Sequence, residues 1–104
     1  MAVINLNAVF VNISNGEKIE TSKDKFMSLG EVLINAALAD SEEKLSGDEK
    51  VKKYKLAKKI SEAQESGSVS LQAEDVALLK KEVARIYPPI IVGQSYDFLE
   101  GEVS

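Results

Sequence analysis

Two adjacent prolines near the C-terminus constrain this chain more than any other feature. Residues 71–99 read LQAEDVALLKKEVARIYPPIIVGQSYDFL. Ahead of the prolines, Val76, Leu79, Val83 and Ile86 recur at i, i+3, i+7 and i+10, with Leu78 beside them. Lys80, Lys81, Glu82 and Arg85 take the other side. Such a pattern predicts a helix with one buried stripe and one wet face. Pro88 and Pro89 must end it, because neither has an N–H for the ladder and each disfavours helical geometry in the residue before it. The apolar run Ile90, Ile91, Val92 therefore restarts in a new direction. We read it as a short helix to about Leu99 with Pro89 in its first turn, placing Val92, Tyr96 and Leu99 on one side and Phe98 at the core.

With 104 residues, the chain reads as one domain, large enough to bury roughly two thirds of its unfolded surface. Its 44% hydrophobic and 29% charged residues argue against a mostly disordered polymer. Cysteine and histidine are both missing, which removes disulfides, thiolate metal sites and the commonest general base. No cofactor is implied. The net charge of −4 gives no global attraction to nucleic acid or anionic membrane. The opening MAVINLNAVFVNIS lacks a basic leader and is broken by Asn5, Asn7 and Asn12, so it reads as a strand and not an export signal. No apolar run is long enough for a membrane span, so a cytoplasmic protein is expected.

Residues 3–21 predict a β-hairpin. Ile4, Leu6, Ala8 and Phe10 alternate with Asn5, Asn7 and Val9, a period of two. Asn15-Gly16 suits a type I′ turn, with Lys18 to Thr21 returning. Three helix starts follow. Ser28 with Glu31 and Ser46 with Glu49 are capping boxes, flanked by the apolar residues Met27 and Leu45, and Gln72 with Asp75 is a weaker version. The helices expected are 28–39, 46–64 with Gly67 as its stop, 72–87 and 89–99. Within the second, Val51, Tyr54, Ala57 and Ile60 form the expected apolar stripe. Residues 39–49 form an acidic loop and the last four a frayed tail. The fold class is α+β, a hairpin packed on three to four helices.

Candidate chemistry is sparse. Lys50, Lys52, Lys53, Lys55, Lys58 and Lys59 lie within ten positions of the second helix, nearly half of the thirteen basic residues. A solvated helix face is the ordinary reading of such a run. Its functional reading is a patch, with Lys52, Lys53, Lys55 and Lys59 contacting phosphates or an acidic protein. Helix-turn-helix binding to DNA is disfavoured, since Glu74 and Asp75 open the third helix where phosphates would approach. At the proline corner the ordinary reading is a rigid joint between helices. Its functional reading is an exposed docking edge carrying Tyr87, Ile91, Gln94, Tyr96 and Phe98. The acidic pairs Glu42/Glu43 and Glu74/Asp75 lack the geometry of paired catalytic carboxylates. Phosphate-loop and EF-hand spacings do not occur. An enzyme is not expected.

The strings LSGDEKVKKYKLAKKI at residues 45–60 and VSLQAEDVALLKKEVARIYPPIIVGQSYDFLE at 69–100 resemble small accessory proteins of tailed bacteriophages and prophages. The shared features are a Ser-Gly-acidic-Glu-Lys helix start, a Lys-rich helix, and a helix ending in Tyr-x-Pro with Val-Gly-Gln beyond it. The first 27 residues match only in character. This resemblance implies a phage protein working inside a bacterial host through protein contacts, and it assigns no site. The function expected is a noncatalytic module binding a host factor or virion-assembly protein. Nucleic-acid binding by the Lys-rich helix is the alternative.

Overall fold

Alternation at the N-terminus is realised as burial: Ile4, Leu6 and Phe10 are enclosed while Val3, Asn5 and Asn7 face out. The computed structural model describes residues 2–22, 25–39 and 46–100. Its elements in order are β1 (Ala2–Asn5), β2 (Glu20–Ser22), β3 (Lys25–Phe26), α1 (Leu29–Leu38), α2 (Gly47–Ala63), β4 (Ser68–Leu71), α3 (Ala73–Ile86) and α4 (Pro89–Leu99). The fold is α+β, with a hairpin-bearing N-terminal arm and small antiparallel sheets packed on four helices. Most of the acidic segment expected as a loop, and the tail after Glu100, lie outside the described residues.

The strand partner differs from the expected one. β1 pairs antiparallel with β4, Ala2 opposite Leu71 and Asn5 opposite Ser68. Residues 67–71, read from sequence as a bare helix connection, thus close the sheet. Their own alternation is clear in retrospect, since Ser68 and Ser70 are exposed and Val69 and Leu71 buried. β1 stops because the Asn5 side chain accepts the Asn7 N–H at 3.0 Å, a local turn that competes with the ladder. The hairpin follows. Val11 bridges Lys18, and the Ile19 N–H donates to the Phe10 carbonyl at 3.0 Å. Its turn is longer than the two-residue type expected. The Asn12 N–H donates to the Glu17 carbonyl at 2.7 Å, enclosing residues 13–16, and the side chains of Asn12 and Asn15 each accept a backbone N–H inside it. Gly16 supplies the positive φ of 73°.

Caps fix the helices. Ser28 Oγ accepts the Glu31 N–H at 3.4 Å. At α2 the box is complete: Ser46 Oγ accepts the Glu49 N–H at 3.1 Å, and Glu49 Oε1 accepts the Ser46 N–H at 3.3 Å. Tyr87 is extended at φ −116° and ψ 154°, as a residue before proline should be, and Pro89 occupies the first turn of α4. The core is centred on α1, whose Leu29, Val32, Leu33, Ala36 and Ala37 are all buried. Ile4, Leu6, Phe10, Ile60, Leu71, Leu79, Val83 and Leu99 surround them.

Two stripes fall elsewhere than expected. On α2 the buried residues are Lys53, Leu56, Ala57 and Ile60, whereas Val51 and Tyr54 are 49% and 58% exposed. A strict spacing of three drifts by about 60° per step at ~100° per residue, so Val51 and Ile60 lie on opposite sides. On α3 the buried set is Leu79, Glu82 and Val83, and the terminal Ile86 is partly exposed. Lys53 and Glu82, both read as wet, are therefore interior.

Between α2 and β4 the chain reverses at Gly67, with φ 83°, and a Cβ there would meet only the end of the exposed Asn7 side chain, which can swing aside. Gly16 shares the left-handed geometry but has open space around it. Gly16→Ala and Gly67→Ala should therefore each cost about 1–2 kcal/mol from backbone strain, read as lower urea midpoints; an unchanged midpoint for either would contradict the left-handed geometry.

Candidate functional site

The proline corner is a joint, and the five residues expected on an exposed edge also make contacts within the fold. Ile91 is buried, and Tyr87, Gln94, Tyr96 and Phe98 are half-buried. Phe98 packs edge-on against Phe10, ring centroids 5.4 Å apart. The Tyr87 hydroxyl accepts from Asn35 Nδ2 of α1 at 3.3 Å. The Tyr96 hydroxyl donates to the Lys80 carbonyl at 3.3 Å, with the Lys80 ammonium over its ring at 5.2 Å. Gln94 acts as a clamp: its Oε1 accepts the Val11 N–H at 3.0 Å and its Nε2 donates to the Val11 carbonyl at 2.9 Å. That amide substitutes for a neighbouring strand and ties the N-terminal arm to α4. Aromatic and amide groups beside the sharp corner thus find partners across it, while Tyr87, Gln94, Tyr96 and Phe98 keep part of their surface exposed.

Lys53 likewise leaves the expected basic patch. It is only 6% exposed, and its Nζ donates to Glu82 Oε1 at 2.9 Å and to the Ala39 carbonyl at 3.0 Å. The other oxygen of Glu82 accepts from Arg85 Nε at 2.8 Å. Both Glu82 oxygens are used and the lysine has two acceptors, which is the condition for burying such charges tolerably. Burial by itself pushes the Glu82 carboxyl up, but hydrogen bonds from Arg85 and Lys53, with their charges, outweigh it and hold the group below its usual 4.5. The sequence hid this contact: α2 carries six lysines within ten positions, and only burial singles out Lys53.

The remaining lysines form the surface that merits attention. Lys52 lies 3.8 Å from Glu74, both well exposed, a pair worth about 0–1 kcal/mol. Lys55, Lys58 and Lys59 make no ion pair among the described residues. Two shallow depressions flank them. One, of about 440 Å³, is lined by Asp48, Val51, Lys52, Lys55, Leu56, Lys59 and Asp75, between α2 and the start of α3. The other, of about 600 Å³, runs between α2 and β4 and is lined by Lys55, Lys58, Lys59, Glu62, Ala63 and Ser68 to Ser70. Lys55 and Lys59 border both, so the two make one continuous surface. The first depression sets three lysines against two acids, and the second sets three against one. Neither places an acid and a base around an enclosed space.

Among the described residues no group of three or more acidic, histidine or cysteine side chains is placed to hold a metal ion. No described helix is long and apolar enough to cross a membrane. No known protein family matches the chain, and neither a curated protein nor a solved structure resembles it.

Two outcomes follow from these contacts. Gln94→Glu places a carboxylate against the Val11 carbonyl and should destabilise by about 1–3 kcal/mol, read as a lower urea midpoint, while Gln94→Ala costs less. For Glu82, a folded pKa below the unfolded one means that its stabilisation is complete above 4.5 and is lost as pH falls through the folded value. At neutral pH Glu82→Gln should be about 3 kcal/mol less stable than the parent, and this gap should close in acid. A gap independent of pH would show that the charge is not what matters.

Proposed function

We propose that this protein is a noncatalytic interaction module whose contact surface is the lysine-bearing face of α2, and that it binds an acidic surface of another protein. The observation that carries this reading is the continuous depression bordered on both sides by Lys55 and Lys59, with Val51 half-exposed within it. Unpaired cations beside exposed apolar groups are what a mixed interface uses, the apolar part for affinity and the charge for orientation and rate. A catalytic reading would need titratable groups converging in an enclosed site, and these lysines line an open one.

A setting inside a bacterial cell, with a host factor or a virion-assembly component as the partner, belongs to the same proposal and rests on the resemblance of residues 45–100 to phage accessory proteins. Lysine without arginine, and Tyr54 as the only aromatic on α2, supports a protein partner over bases, which are read by bidentate and stacking groups. The strand β4 between α2 and α3 also differs from the short turn of a helix-turn-helix.

Affinity capture from host lysate, with the parent chain and Lys55→Glu/Lys59→Glu side by side, tests this reading. The parent should retain a discrete acidic protein that the variant loses, with both equally stable to urea. Identical capture by the two, or a salt-sensitive complex of the parent with mixed-sequence DNA in place of any protein, would refute it.

A further inference from the structure

We infer that the free edge of β4 receives an extended acidic peptide of the partner protein as a third strand of the β1–β4 sheet. This deepens the proposed function and rests on it, since the same lysines take part.

The register of the sheet decides which backbone groups are available. The Leu6 N–H donates to the Gly67 carbonyl at 2.8 Å, one step beyond the Asn5–Ser68 pair. In an antiparallel ladder, pairs that exchange hydrogen bonds alternate with pairs that do not. The bonded pairs are therefore Leu6–Gly67, Ile4–Val69 and Ala2–Leu71, and the others are Asn5–Ser68 and Val3–Ser70. In those others the N–H and C=O point away from the partner strand. Ser68 and Ser70 consequently aim their backbone groups outward from β1. The Ser68 carbonyl already accepts the Ser66 hydroxyl at 3.1 Å. Ser70 has a donor and an acceptor that meet no partner among the described residues, and its side chain is exposed.

Beside this edge runs the depression of about 600 Å³ whose other wall is α2. Lys55, Lys58, Lys59 and Glu62 stand there at i, i+3, i+4 and i+7, one stripe along the helix, so the wall carries three cations and one acid. Strand edges in monomeric proteins are commonly blunted by proline, a bulge or a charge. β4 has no proline and pairs with β1 without a register shift. The neighbouring lysines leave the edge open selectively, repelling basic segments and favouring acidic ones. Strand addition takes its affinity from main-chain bonds and its specificity from alternate side chains, and here alternate acidic side chains would lie along the lysine stripe. The outer edge of β1 presents the exposed Val3 and no charged side chain within the strand, so it lacks that selectivity.

The probe is a synthetic peptide alternating glutamate and valine, capped at both ends, titrated into the full isotope-labelled chain. Its binding should shift the Ser70 amide resonance and slow the exchange of that proton with solvent. Ser70→Pro removes an outward N–H without touching a β1–β4 hydrogen bond and should weaken binding about tenfold, while Ser70→Ala should leave it unchanged. Methylating the peptide's own backbone at alternate nitrogens needs no protein variant. One methylated set should abolish binding to the parent chain and the complementary set should not.

If Lys55→Glu/Lys59→Glu abolishes binding but Ser70→Pro and both methylated peptides behave as the unmodified pair, strand addition is wrong and acidic docking on α2 stands. If the parent chain ignores the peptide, strand addition is likewise overturned. If it also retains single-stranded oligothymidine, with the lysine reversal abolishing that, the protein-binding reading falls too.

Discussion

A buried contact between Lys53 and Glu82 spans the gap between two helices that α1 holds apart. α1 packs against both α2 and α3, which have little direct packing on each other. Lys53 reaches across from α2 to α3, and the same ammonium takes the Ala39 carbonyl at the C-terminal end of α1. One buried cation thus joins three helices, beside the apolar packing of Leu56, Ala57 and Ile60 that holds α2 on α1. Such a pair adds little net free energy over an apolar substitute. Its value is geometric, because a buried charge is tolerated only in the arrangement that provides every partner. Arg85 completes that arrangement from the rim.

Much of the N-terminal arm is held by a second polar contact of the same kind. The short hairpin would be marginal alone, and backbone bonds from the Phe10 N–H to the Met27 carbonyl at 3.1 Å and from the Leu29 N–H to the Ala8 carbonyl at 2.8 Å help hold it. Gln94 supplies Val11 with the donor and acceptor a neighbouring strand would have given, and Phe98 caps Phe10 from the same helix. The proline corner makes this possible by turning α4 back toward the arm. Tyr87, Gln94, Tyr96 and Phe98 are thereby engaged within the fold while each keeps part of its surface exposed. On α2, Lys55, Lys58 and Lys59 stay outside this packing and make no ion pair among the described residues.

Glu82 and Lys53 show why sequence periodicity misplaced the interior of two helices. A hydropathy pattern assigns every charge to solvent, and a mutually satisfied pair breaks that assumption without leaving a local trace. Val51 and Tyr54 were misread from the opposite cause: apolar residues at a strict spacing of three rotate off the buried side within two turns. The missed strand β4 had a visible alternation, Ser68-Val69-Ser70-Leu71, yet four residues between two strong helices read as a connector until β1 is seen to lack another partner.

From sequence alone came the α+β class, the starts of the helices and the break at Pro88-Pro89. These are decided by groups within a few residues of one another: a serine and a glutamate three apart, or a ring that removes an N–H. Only tertiary structure decided that β1 pairs with β4, that Lys53 is interior, and that Gln94 closes on Val11. Each of those joins residues far apart in the chain, and two also turn on whether a polar group finds its complement after the chain has folded. No local motif announces such contacts, because they are decided only once the chain has folded.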